Sequence, residues 1–101
     1  MIELSNENFY DLINDDYVLV DFFATWCGPC KMMHPVLENV SNSRDNIKVI
    51  KVDVDKFQDI AQKFGVMSIP TLVLFKKGQQ IDQKVGYTPE PLLNNWINEH
   101  R

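Results

Sequence analysis

The only two cysteines of this chain stand two residues apart, in Trp26-Cys27-Gly28-Pro29-Cys30, where an apolar run gives way to a helical pattern. Tyr17-Val18-Leu19-Val20-Asp21-Phe22-Phe23 before them reads as a fully buried strand, and Met33, Val36, Leu37 and Val40 after them recur at helical spacing. This dipeptide-spaced pair must therefore open a helix on the end of a core strand. Unpaired N–H groups and the positive end of the dipole favour a thiolate there, so Cys27 is expected to be a nucleophile near neutral pH. Cys30, one turn further in, is expected to be shielded and suited to an intramolecular attack. The pattern is that of a reversible dithiol: Cys27, at an exposed helix tip, attacks a target disulfide, and Cys30 resolves the mixed disulfide. A static disulfide or two small core residues are the duller alternatives.

The segments around this site alternate between strand and helix patterns. Ile2 to Leu4 reads as a short edge strand. A helix capped by Ser5 or Asn6 then turns Phe9, Leu12 and Ile13 inward. Pro35 sits inside the second helix and is expected to kink it, leaving the carbonyl of Lys31 without its donor. Ser41 to Asn46 reads as a polar loop, and Ile47 to Val54 as a strand rich in branched residues. Phe57, Ile60, Ala61 and Phe64 give a third, amphipathic helix, with Gly65 as its C-terminal cap. Thr71–Phe75 and Gln79–Val85, separated by Lys76-Lys77-Gly78, suit an antiparallel hairpin. Thr88 is expected to cap a last helix with Pro89 in its first turn and Leu92, Leu93, Trp96 and Ile97 on its inner face. The fold class is α/β: a mixed sheet of about five strands flanked by four helices, in a single domain over residues 1–101.

Composition narrows the function classes. With 45% hydrophobic residues, a core without metal or disulfide staples is feasible. Fourteen acidic against ten basic residues give a net charge of −4 with no basic stripe, which argues against a nucleic-acid partner. No apolar run approaches a membrane span, and Met1 to Glu7 lacks a signal-peptide pattern, so a cytoplasmic location and no membrane partner are expected. Two cysteines cannot close a four-ligand zinc site, and His34, four residues after Cys30, reads as a surface histidine rather than a third ligand. Met32 and Met33 read as packing. No metal is expected.

The pentapeptide, with Lys31 and Met32 after it, resembles the active-site sequence of the thioredoxin family. The likeness continues through Val20-Asp21-Phe22, Lys51-Val52-Asp53-Val54-Asp55, Phe64-Gly65-Val66, Ile69-Pro70-Thr71-Leu72, Phe75-Lys76-Lys77-Gly78 and Val85-Gly86, nearly the whole chain. Phe23 stands where many thioredoxins have tryptophan. The resemblance implies the thioredoxin fold and a thiol-disulfide oxidoreductase that reduces protein disulfides. No bound cofactor is implied: electrons come from NADPH indirectly, through thioredoxin reductase, and the chain acts as a monomer.

Asp21 interrupts a buried strand, where an ionised carboxylate is costly unless paired or raised in pKa. By resemblance it is the buried aspartate that takes the proton of Cys30, through a water, and Lys51 is the lysine that tunes it. Also by resemblance, Ile69 precedes a cis Pro70 and offers its backbone to an extended substrate. Trp26, Gly28, Ile69, Gly86 and Tyr87 would form a mostly apolar apron around the sulfurs, with Trp26, Gly28 and Pro29 making up the active-site loop. Two other classes compete: an oxidase or isomerase of the disulfide-isomerase type, against which Gly28-Pro29 argues because oxidising relatives usually carry histidine there, and a docking module with an incidental dithiol.

Overall fold

The computed structural model describes residues 1–101, folded as five strands and four helices. The elements are β1 (Ile2–Glu3), α1 (Phe9–Leu12), β2 (Val18–Phe23), α2 (Gly28–Ser43), β3 (Lys48–Asp53), α3 (Gln58–Lys63), β4 (Thr71–Lys76), β5 (Gln79–Val85) and α4 (Glu90–Glu99). They form one mixed sheet in the order β1-β3-β2-β4-β5. β3 runs parallel to β1 and β2, and β4 runs antiparallel to both β2 and β5. The central strand β2 is buried along its whole length, which explains why it reads as a continuous apolar run rather than an alternation.

Alternation along β2 sorts its side chains between two cores. Leu19 packs with Met33, Leu37 and Val40 of α2 and with Leu93, Trp96 and Ile97 of α4. Val18, Val20 and Phe22 face the other side, against Phe9, Ala61 and Phe75. Phe64 and Phe75 meet edge to face with ring centroids 5.2 Å apart, and Phe9 packs against both, tilted on Phe64 and edge to face on Phe75. Each fully buried aliphatic or aromatic side chain contributes about 1.5–3 kcal/mol, so these two layers hold α1 and α3 on one face and α2 and α4 on the other. The β4–β5 connection is a tight turn in which Lys77 and Gly78 take φ values of 51° and 83°, the mirror-image geometry that matches strand twist.

Several boundaries differ from the sequence expectation. The cap of α1 is Asn8, whose side chain accepts from the N–H groups of Tyr10 and Asp11; Ser5 instead donates its N–H to Glu7 Oε1 in a local turn. Ser41–Ser43 belong to α2 rather than to a loop. Burial of Val40 carries the helix onward, and the Ser43 hydroxyl donates back to the Asn39 carbonyl at 2.8 Å. Thr88 does not cap α4. Its hydroxyl donates to the Gly86 carbonyl, its N–H to Met33 Sδ, and Pro89 occupies the cap position. Leu92 is exposed, because the stripe facing the sheet is Leu93, Trp96 and Ile97. Pro35 does lie inside α2.

Candidate functional site

The strand-to-helix junction after β2 holds both sulfurs. Cys27 and Cys30 are joined in a disulfide, with Cα atoms 5.2 Å apart. Cys27 has extended backbone angles and acts as the cap of α2: its Sγ accepts the Cys30 N–H at 3.2 Å. Pro29 falls in the first turn, where its missing N–H costs nothing. The expected exposure of Cys27 needs correction, since only 5% of the residue is accessible against 2% for Cys30. Both pack with Phe23, Ala24, Val54 and Ile69. What separates the two sulfurs is the hydrogen bond, which stabilises negative charge on Cys27.

Two loops close on this junction. The Ile69–Pro70 peptide bond is cis, and Pro70 is buried. The Thr71 hydroxyl donates to the Ser68 carbonyl and so ties down the segment before Pro70. Gly86 approaches from the end of β5: its N–H donates to the Pro70 carbonyl at 2.8 Å, and its φ of 94° lies where only glycine is unstrained. The half-buried Ile69 makes no backbone hydrogen bond within the chain. Around these groups Trp26, Met67 and Tyr87 are exposed, Met67 at 95%. Trp26, Val54, Val66, Met67 and Ile69 line a shallow, largely apolar hollow. The indole N–H of Trp26 donates to Asp55 Oδ2 at 2.9 Å, and the Asp55 N–H donates to Asp53 Oδ1. The sequence reading gives Asp55 no role of its own; its place in the Lys51-Val52-Asp53-Val54-Asp55 block, just past the end of β3, is the available signal.

Asp21 lies two residues beyond Leu19 on β2 and shares its face, beneath α2. It is fully buried, and neither carboxylate oxygen has a hydrogen-bond partner. Burial pushes its carboxyl up to about 7, against the opposing pull of the Lys51 charge. Lys51 is its direct neighbour in the parallel β2–β3 ladder. Only 9% exposed, Lys51 places its Nζ 3.1 Å from His34 Nδ1 and 4.4 Å from the centroid of the Phe23 ring. It is neither a surface lysine nor a hydrogen-bonded partner of Asp21. Phe23, Cys30, His34 and Lys51 line a pocket on this side of the dithiol. No group of three or more His, Cys, Asp or Glu side chains is arranged to hold a metal ion, and no helix is long and apolar enough to cross a membrane.

Comparison with known proteins agrees with this geometry. The sequence profile of the Thioredoxin family matches residues 1–99. The chain is 42% identical to the thioredoxin of Bacillus subtilis and 46% identical to that of Staphylococcus saprophyticus, each over 101 residues that cover 99% of this chain and 97% of the relative. Among solved structures, a single-substitution mutant of thioredoxin from Halobacterium salinarum superposes with a TM-score of 0.91 at 38% identity, covering 97% of this chain and 88% of that one. A thioredoxin from Nicotiana alata superposes with a TM-score of 0.88 at 39% identity, covering 99% and 91%. With a cysteine pair joined at a helix N-terminus beside a cis-proline loop, the chain belongs to the thioredoxin family and is a thiol-disulfide oxidoreductase that reduces disulfide bonds in target proteins.

Proposed function

We propose the following division of labour. Cys27 attacks the target disulfide as a thiolate, and the outgoing target sulfur takes up a proton. Cys30 then gives its proton to the Asp21 carboxylate and attacks Cys27 Sγ; the Cys27–target bond breaks, and the second target thiolate leaves. The target gains two electrons, and the protein is left with the Cys27–Cys30 disulfide. The observation that carries this order is the Cys30 N–H donated to Cys27 Sγ, which favours charge on Cys27 and none on Cys30. A carboxyl group near 7 is matched to accepting a proton at neutral pH, which supports the role given to Asp21. Lys51, its ladder neighbour, moderates that carboxyl.

An extended target segment pairs with the unpartnered backbone of Ile69 beside Pro70, while Trp26, Gly28, Pro29 and Gly86 shape the rim. The disulfide is re-reduced by a flavin-containing, NADPH-dependent thioredoxin reductase. The chain works in the cytoplasm as a monomer and as one domain over residues 1–101. The ordering is tested with Cys30→Ser and Cys27→Ser variants mixed with a disulfide-bonded protein substrate. Cys30→Ser accumulates the mixed disulfide and Cys27→Ser does not; accumulation with Cys27→Ser instead reverses the assignment.

A further inference from the structure

From α2, the His34 ring reaches the ammonium of Lys51, the ladder neighbour of the buried Asp21. An ammonium has three protons to place and no lone pair, so at 3.1 Å the imidazole Nδ1 must accept. The other ring nitrogen, Nε2, faces Glu38 Oε2 at 3.8 Å. Lys51 Nζ also lies over the Phe23 ring, on the side of the pocket shared with Cys30. The consequence falls on Asp21. Its carboxylate is buried and unpartnered although the adjacent strand carries a lysine at the paired position, long enough to fold back onto it.

We propose that His34 is a positioning residue for the second half of the reaction: by holding the Lys51 ammonium against Phe23, it keeps that charge off Asp21. A full Lys51–Asp21 ion pair would leave the carboxylate satisfied and a poor base toward the Cys30 thiol; the His34 contact preserves a base close enough to feel the charge without being neutralised by it. The inference rests on the reading of Asp21 as proton acceptor. Its specific content is the competition between Nδ1 and the carboxylate for one ammonium group.

The test follows the titration of the Asp21 carboxyl carbon by NMR in the oxidised protein, together with the pH profile of target release. Variants are His34→Ala, His34→Asn, whose Oδ1 replaces Nδ1 as acceptor, and His34→Ala in a Lys51→Met background. His34→Ala is expected to lower the Asp21 midpoint by about half a pH unit or more, roughly a threefold loss of proton affinity. The release profile moves with it. His34→Asn stays close to the parent, and in the Lys51→Met background the His34→Ala shift vanishes. An unchanged or raised midpoint in His34→Ala, or a shift that persists without Lys51, overturns the inference. Failure of the underlying reading looks different: the midpoint moves as expected while Asp21→Asn leaves the release rate intact.

Discussion

Replacing Asp21 by Asn should stabilise the folded protein, and by an amount set by pH. The side chain is fully buried with both oxygens unpartnered, and its carboxyl is raised from the ordinary range near 4 to about 7. Below about pH 4 the group is protonated in both the folded and unfolded chains. Between about 4 and 7 the unfolded chain has lost this proton and the folded chain still holds it, so folding stability falls as pH rises, by about 1.4 kcal/mol per unit. Above 7 the group is ionised in both states, and the full penalty of about 4 kcal/mol persists. Asparagine fills nearly the same volume and never ionises. Oxidised Asp21→Asn should thus match the parent within about 1 kcal/mol at pH 4.5 and exceed it by as much as about 4 kcal/mol at pH 8. For a chain of this length the gain is on the order of 20 °C in Tm. Urea unfolding at the two pH values measures both numbers, with an unchanged m-value as the sign that the end states are the same. Equal differences at both pH values, or a variant weaker at pH 8, would refute the account of Asp21 as a carboxylate held in the core at the expense of stability.

Two further outcomes probe the scaffold around the dithiol. Gly86→Ala places a side chain at a φ of 94° and should cost about 1–2 kcal/mol while loosening the Pro70 contact, so chemical denaturation and the rate of target reduction should both decline. Phe75→Ala empties the centre of the aromatic layer on the α1–α3 face and should cost about 3–5 kcal/mol; the reduction rate per folded molecule should stay near the parent value, as Phe75 lies remote from the sulfurs.

The order of strands and helices is legible in the sequence because each element carries a strong period. β2 is a six-residue apolar block, α2 repeats Met33, Val36, Leu37 and Val40, and the β4–β5 turn is announced by Lys77-Gly78. Helix ends are less legible, since the competing polar residues Ser5, Asn6 and Asn8 all qualify as caps and only the packing of Phe9 selects Asn8. Ser41–Ser43 look like loop by composition, but they line the solvent side of a helix whose other side is already committed to the core. The pairing of Asp21 with Lys51 is expected from the family resemblance alone, since no local period shows that two strands thirty residues apart lie side by side. The burial of Cys27 is similar: its cover comes from Val54 and Ile69, brought in by later elements. Likewise, nothing in the local sequence of His34 indicates that its ring meets a lysine from β3.

The central claim is that the Cys27–Cys30 pair gives electrons to its targets. The most direct measurement is its equilibrium reduction potential, obtained by poising the protein against thiol-disulfide buffers and counting free thiols. The account predicts a value near the roughly −270 mV known for thioredoxins. A value between about −180 and −120 mV, where isomerases and oxidases lie, would contradict it.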